Sequence, residues 1–580
     1  MSHRAHLLSL RAGHALREAF ADGYARADLI KDLIAGITVG VIAIPLAMAL
    51  AIASGVAPQY GLYTALIAGA IIALTGGSRF SISGPTAAFV VILHPIATKY
   101  GLAGLLLASI MAGGILVAMA YARLGRFIEY IPESVTLGFT GGIAIVIAVL
   151  QISDFTGMTI NDMPEHFVDK LITISSHFQE IDLGSFAVAL FTLAVMIVWP
   201  RLGSRIPAHL PALALACLIG IVLSWQGIDV DTIGSRFHYL LPNGEQAPGI
   251  PPYLPTFDWP WNRPGANGQP LGLSLNLISA LLPAAFAIAM LGAIESLLCA
   301  VVLDGMSGKR HSANSELLAQ GLGNLIAPFF GGITATAAIA RSATNFKAGA
   351  ISPIAAIIHS VVILLSILLL ARVLTYIPMP AMAALLMVVA WNMSEAPKSV
   401  KLVRTSPTSD ILVFLTCLSL TVFFDMVIAI TAGIVLASLL FMKEIAALTD
   451  VVDITNNSNF VHTTPPNNIK IVKIRGPLFF AAADRIVGEL SAQTPGINGL
   501  IIHLQYSAYL DAGGLSAINK LIAHCEKNKI SIRFSSWQFQ PLKTLAKARD
   551  ETSAALSLSF ATLNDAIEDA LKEGALYEAR

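Results

Sequence analysis

The string Gly331-Gly-Ile-Thr-Ala-Thr-Ala-Ala-Ile-Ala-Arg-Ser-Ala-Thr-Asn345 cannot be an ordinary membrane span. It is too rich in small residues and too interrupted. Its first half (Ile333, Thr334, Ala335, Thr336) suits extended backbone, and the part from about Ala340 suits a short helix. Irregular backbone at membrane depth survives only when buried in protein or lining a cavity. A half-helix that starts there offers bare N–H groups and the positive end of a dipole, which together attract an anion. Upstream lies a long apolar run carrying one carboxylate, Glu295. A turn from Asp304 to Arg310 and a short apolar helix from about Asn314 follow it. The string has a counterpart, Gly76-Gly-Ser-Arg-Phe-Ser-Ile-Ser-Gly-Pro-Thr-Ala-Ala-Phe89, with the same order of features. Two interrupted segments in matching halves point to a transporter's binding site.

The rest of the chain fits that reading. Hydrophobic residues make up 55% of the 580 positions, charged ones only 12%, and the mean hydropathy is +0.72. A soluble domain carries about twice that charged fraction, so the chain reads as a polytopic α-helical membrane protein. A net charge of zero suggests no nucleic-acid partner. Cys217, Cys299, Cys417 and Cys525 show no metal spacing and read as apolar fillers. The basic N-terminus has no short apolar core with a cleavage site, so no signal peptide is expected.

Apolar segments run near 33–53, 61–77, 84–97, 103–122, 134–153, 183–199 and 209–226. After a Pro-, Gly- and Trp-rich stretch (227–272) come 274–303, 314–330, 340–348, 352–374, 378–393, 410–427 and 430–447. Seven plus seven predicts an inverted repeat. Basic clusters (Arg17, Arg26, Lys31; Arg123, Arg126; Arg201, Arg205; Lys309, Arg310; Lys398, Lys401, Arg404; Lys443) precede segment one or follow even-numbered segments. Asp154, Asp162, Glu165, Asp169, Glu180 and Asp182 crowd the loop after segment five. Positive charge inside then places both termini in the cytoplasm. The expected divisions are an N-terminal segment 1–31, a membrane domain 32–450 and a soluble domain 456–580. In the last, strands (468–474, 499–504, 530–534) alternate with helices (481–492, 514–527, 541–548), the pattern of a small α/β domain.

Glu295 is the residue most expected to carry chemistry. A carboxylate inside a span is costly and usually functional; it could bind the coupling proton, or make a helix-packing hydrogen bond. Asp304, nine residues on, reads as a cap at the turn. Arg341, at the start of the second half-helix, could attract an anion, satisfy orphan carbonyls or pair with Glu295. Ser83, Thr86, Ser342 and Thr344 could donate to substrate or cap helices. His94 and His359 read as satisfied packing residues, and Asp425 is unassigned. The glycine strings lack the Gly-Lys-Ser/Thr ending of a phosphate loop, so no ATP site and no cofactor beyond a coupling ion are expected.

Ala57-Pro-Gln-Tyr-Gly-Leu-Tyr63 resembles the signature after the first helix of the sulfate permease family of anion transporters. The C-terminal part resembles a STAS domain (sulfate transporter and anti-sigma-factor antagonist), with Leu510-Asp-Ala-Gly-Gly514 at its Asp-Ser-Gly loop. Asp32-Leu-Ile-Ala-Gly-Ile-Thr-Val-Gly40, Met290-Leu-Gly-Ala-Ile-Glu-Ser-Leu-Leu298 and Ala381-Met-Ala-Ala-Leu-Leu386 look like bacterial C4-dicarboxylate carriers within the family. The resemblance implies a core domain (segments 1–4 and 8–11) moving against a gate domain (5–7 and 12–14), in a homodimer. It places substrate beside Pro85, Thr86, Ala87, Ala340, Arg341 and Ser342, with Glu295 coupling a proton. Two positions depart from the family pattern. Leu46 follows Pro45 where a glutamine is common, and Ala512 replaces the phosphorylatable hydroxyl of the STAS loop.

The expectation is therefore a secondary transporter importing C4-dicarboxylates (succinate, fumarate, malate, aspartate) with protons across a bacterial inner membrane. The cytoplasmic STAS domain would be free to dock a cytosolic protein. The alternatives are a sodium-coupled bicarbonate or inorganic-anion transporter, and a membrane-anchored sensor signalling through the STAS domain.

Overall fold

The computed structural model describes residues 10–126, 131–160, 163–164, 166–204, 206–241, 245–424, 426–461, 468–548 and 553–578. Arg205, Asp162, Glu165 and Asp425 lie outside them. Contacts divide the chain into two units, Met1–Ile434 and Val435–Arg580.

The first unit is helical. It begins with a short helix α1 (His14–Ala21), followed by α2 (Arg26–Ala53) and α3 (Pro58–Thr75). The two-residue strand β1 (Ser83–Gly84) then leads into α4 (Ala87–Tyr121), followed by α5 (Glu133–Leu150), α6 (Leu183–Val198) and α7 (His209–Trp225). The second half holds α8 (Leu275–Ser307), α9 (Ala313–Ile326), the two-residue strand β2 (Thr336–Ala337) and α10 (Ile339–Lys347). Helices α11 (Ile354–Leu374), α12 (Met379–Met393) and α13 (Thr408–Phe423) follow, and α14 (Met426–Ala447) spans the division between the units.

Nine helices among the described residues are long and apolar enough to cross a bilayer, and α7 and α13 are apolar but shorter. Every one of the fourteen predicted segments contains helix, and segments three and four are two helices that join end to end at a kink and share the label α4. The break is at Gly101 (φ 67°, ψ −165°), a backbone state that glycine adopts without penalty. A side chain is excluded there as well, because a Cβ on Gly101 would lie 2.3 Å from the Gly265 carbonyl carbon. The polar stretch between the halves thus packs into the kink, and Ala103 N–H donates to Pro264 O at 3.2 Å.

Packing falls into two groups. In one, α4 lies against α8 and α9, and α11 lies against α2 and α3; in the other, α13 lies against α5, and α12 against α5, α6 and α7. The first group holds helices from the segments expected for the core, and the second holds helices from those expected for the gate. Within the first, Gly113 of α4 faces Gly321 of α9. A Cβ on Gly113 would sit 2.8 Å from Gly321 O, and one on Gly321 2.9 Å from Gly113 O. Small residues at such a crossing let helix backbones meet, which is the main source of packing energy where lipid removes the hydrophobic drive.

The second unit carries a five-stranded sheet in the order β3 (Asp450–Asp453), β4 (Ile469–Arg475), β5 (Gly499–Tyr506), β6 (Ser531–Ser535), β7 (Ser559–Phe560). β3 is antiparallel to β4 and all other pairs are parallel. Helices α15 (Phe480–Ala492), α16 (Ala512–Lys527) and α17 (Phe539–Lys547) connect the parallel strands, and α18 (Leu563–Glu578) follows the last. Alternation along the strands assigns the faces: Ile502, Leu504, Ile532 and Phe534 join Ile486, Leu490, Ile518 and Leu521 in one core, while Ile471 and Ile501 meet Leu563, Ala566 and Ile567 in the other. The sheet starts with β3, upstream of the expected boundary at 456, and β7 and α18 extend the expected three-strand pattern.

Gly321→Val should overpack the α4–α9 crossing and cost about 1–3 kcal/mol. Thermal unfolding of the detergent-purified protein checks this: a lowered midpoint is expected, and an unchanged one would contradict the close approach.

Candidate functional site

Both interrupted strings are broken as the sequence implies, and they meet. Gly76 ends α3 in extended backbone, the chain bends at Gly77, Arg79 and Phe80 before β1, Pro85 forgoes its N–H, and Thr86 (φ −126°, ψ 155°) precedes the first turn of α4. In the second half Gly331 turns with φ 78°, the chain extends through β2, and Ala338 precedes α10. β1 and β2 pair antiparallel, with Ser83 opposite Ala337 and Gly84 opposite Thr336. Two half-helix starts separated by more than 240 residues in sequence are thereby placed side by side. Neither Thr86 nor Ala338 caps its helix with a side chain, so the first-turn N–H groups of α4 and α10 keep the character of an anion site.

The expected residues cluster around this crossing. Thr86 Oγ1 donates to Glu295 Oε2 at 3.0 Å. One turn earlier on α8, Gly292 O accepts from Thr336 Oγ1 at 3.1 Å, so α8 is tied to both broken segments. Arg341, only 3% exposed, donates from Nη2 to Pro85 O at 2.6 Å, while its Nε and Nη1 have no partner among the described residues. Of its three sequence readings, the orphan-carbonyl one is seen; Glu295 is held by Thr86 rather than by Arg341. Arg341 nevertheless brings a full positive charge with two unspent donors into the cluster. Ala87 is buried, whereas Ala340 is exposed and Glu295 partly so, which leaves the site an open side.

The hydroxyls divide by role. Ser342 Oγ accepts the Ile82 N–H at 2.9 Å, and Ala338 N–H donates to Ile82 O at 3.1 Å, so Ile82 is held through both backbone groups by the other half. Ser83 Oγ accepts from Gln320 at 3.1 Å, and Thr344 Oγ1 bonds back to Ala340 O within its own helix. Three of the four candidate donors thus hold backbone or protein, and Thr86 alone meets the carboxylate. Asp304 is the expected cap: it accepts the His311 N–H at 3.0 Å and contacts His311 Nδ1 at 2.9 Å. His94 is satisfied by Ala53 O at 3.1 Å. His359 departs from expectation, since it is fully buried and neither ring nitrogen has a partner among the described residues.

The sequence reading passed over α9. Its Glu316, Gln320 and Asn324 are buried, and the signal available was their spacing of four along an otherwise apolar helix. In the second unit, Asp511 caps α16 through Gly514 N–H at 2.8 Å and also accepts Phe480 N–H at 3.2 Å. Ala512 next to it is exposed and has no hydroxyl to phosphorylate.

The chain is similar to known proteins in sequence and in fold. The chain matches the sulfate permease family over residues 29–417 and the STAS domain over 461–566. YvdB of Bacillus subtilis (strain 168), a protein named for sulfate transport, is 37% identical over 495 residues, covering 85% of this chain and 89% of its own. The bicarbonate transporter BicA of Picosynechococcus sp. is 27% identical over 462 residues, 76% of each chain. Among solved structures, the murine Slc26a9 anion transporter in the inward-facing state superposes with a TM-score of 0.83 at 18% identity, covering 98% of this chain and 95% of that one. The transmembrane domain of a cyanobacterial BicA does so with 0.61 at 27% identity, covering 70% and 98%. This chain is a member of the sulfate permease family of anion transporters, with a C-terminal STAS domain.

Proposed function

We propose that the chain is a secondary transporter for a small inorganic oxyanion of the sulfate or bicarbonate kind, working by alternating access of the core against the gate. The observation that carries this is the β1–β2 crossing, which aims two uncapped helix starts and Arg341 at one place. Each helix start is equivalent to about half a positive charge. With the guanidinium the site then holds about two positive charges, enough to balance a dianion when Glu295 is neutral. With Glu295 ionised the net is about one, which suits a monoanion. Protonation of Glu295 would thus accompany entry of a divalent anion, and we assign it the coupling proton; Thr86 orients it. Pro85, Thr86, Ala87, Ala340, Arg341 and Ser342 form the substrate cradle in this reading, with Ser342 acting through the backbone it holds.

The C4-dicarboxylate expectation drew on local strings alone. The relatives named above transport or are named for sulfate and bicarbonate, so the inorganic reading takes its place. The likeness to transporters over nearly the whole chain leaves the sensor alternative without a supporting observation. The fourteen crossings, cytoplasmic termini, inner-membrane location, homodimer, and STAS docking of a cytosolic protein are part of the same proposal and rest on the charge pattern and the family.

Uptake by proteoliposomes over a panel of sulfate, bicarbonate and succinate, with pH and sodium varied independently, tests it. Saturable sulfate or bicarbonate flux is expected. Arg341→Ala should raise KM about tenfold, the equivalent of about 1.4 kcal/mol. Glu295→Gln, which still accepts the Thr86 hydrogen bond, should remove the pH dependence of dianion uptake. Flux of succinate alone would restore the dicarboxylate reading, and an intact pH profile in Glu295→Gln would remove the carboxylate from coupling.

A further inference from the structure

Three polar side chains on α9 are buried without serving as an obvious cap. Glu316 is 1% exposed, Gln320 0% and Asn324 1%. Their spacing of four aligns them in one row, and that row runs past both broken segments. Glu316 Oε2 accepts the consecutive N–H groups of Gly77 and Ser78, each at 3.0 Å. Its Oε1 accepts from Gln320 Nε2 at 3.1 Å. Gln320 Nε2 also donates to Ser83 Oγ, on β1, at 3.1 Å. Asn324 grips Ala335, the residue before β2, through both backbone groups: Nδ2 donates to its carbonyl at 2.8 Å and Oδ1 accepts its N–H at 2.7 Å. One rigid helix therefore holds the first segment at two points and the second at a third.

We propose that Glu316, Gln320 and Asn324 are positioning residues that set the register of β1 against β2 and, through it, the affinity of the site for its anion. The affinity part rests on the transport reading above. A two-residue ladder has too few bonds to fix its own register, and a slip of one residue would turn every side chain to the other face. The row supplies what the ladder lacks. It also satisfies backbone groups that would otherwise be buried without partners, and leaving such a group unpaired costs more than a hydrogen bond gains.

Glu316 meets only donors, so it acts as an acceptor. Glu316→Gln can keep both N–H bonds through its amide oxygen; once the Gln320 amide turns over, Gln320 Oε1, without a partner among the described residues, accepts from the new NH2 and from the Ser83 hydroxyl. It is the conservative variant; Glu316→Ala and Asn324→Ala remove the grip. In the full-length reconstituted protein, Asn324→Ala and Glu316→Ala should raise the anion KM about tenfold. Glu316→Gln should stay near wild type, and all three should keep the Glu295-dependent pH profile. An unchanged KM in Asn324→Ala, or a Glu316→Gln as damaged as Glu316→Ala, would overturn the proposal.

Hydrogen–deuterium exchange gives a readout that does not need transport. Asn324→Ala should speed exchange across 331–338 and, through the strand pair, across 81–86. A change confined to 331–338 would show that the two segments are not registered together. If wild type carried no inorganic anion, the transport reading would fall while the exchange result still decided the role of the row. If Asn324→Ala does not fold, Gln320→Ala is the second variant, with faster exchange expected at 81–86 and unchanged exchange contradicting the proposal.

Discussion

Two antiparallel residue pairs, Ser83 with Ala337 and Gly84 with Thr336, hold the rest of the membrane unit to its shape. Breaking a helix at membrane depth frees backbone N–H and C=O groups that lipid cannot satisfy. Here the two breaks satisfy each other, and each side supplies further partners: Ile82 is bonded through both backbone groups to Ala338 and Ser342, Pro85 O to Arg341, and Phe80 O to Asn345 at 3.0 Å. The crossing is thus a consequence of hydrogen-bond accounting before it is a feature of transport.

The same accounting leaves in place the features on which the proposed anion site rests. The strands use up the groups that lie between the half-helices, and the helix starts themselves remain uncapped. Backbone N–H groups cannot change their charge or rotate away, so they form a fixed positive field. Thr86 holds the Glu295 carboxylate beside them, and in the proposed reading that carboxylate takes up the proton. A fixed positive field with an adjustable negative charge can serve anions of different valence, which fits relatives named for sulfate and for bicarbonate.

Much of this was legible in the sequence because breaks leave composition signals. The Gly76–Gly77 and Gly331–Gly332 pairs with the small-residue strings after them marked the breaks, and Glu295 stood out as a lone charge in an apolar run. What escaped had weaker local signatures. The polar row on α9 sits in a helix whose average is apolar, so only its spacing could reveal it. The kink at Gly101 falls in the gap the sequence leaves between segments three and four, and what escaped was that the two helices join there without a loop. In the STAS domain the long parallel strands were plain from their buried runs, whereas the edge strands β3 and β7 have four and two residues, too few for an alternation to register. Ser83 and Ser342 showed the chemistry of donors, and only coordinates could show that backbone and Gln320 claim them.

The strand pair can be tested without any substrate. With the four native cysteines replaced, Ser83→Cys and Ala337→Cys place two thiols directly across the pair, where facing Cβ atoms lie about 4.5–5.5 Å apart, close enough for a mercuric ion to bridge. A protease site in the 227–272 stretch separates the halves unless they are joined. Cleaved protein that runs as a single band after mercury treatment, and as two bands for either single variant, is the expected result. Two bands for the double variant, in folded protein, would contradict the meeting of the broken helices.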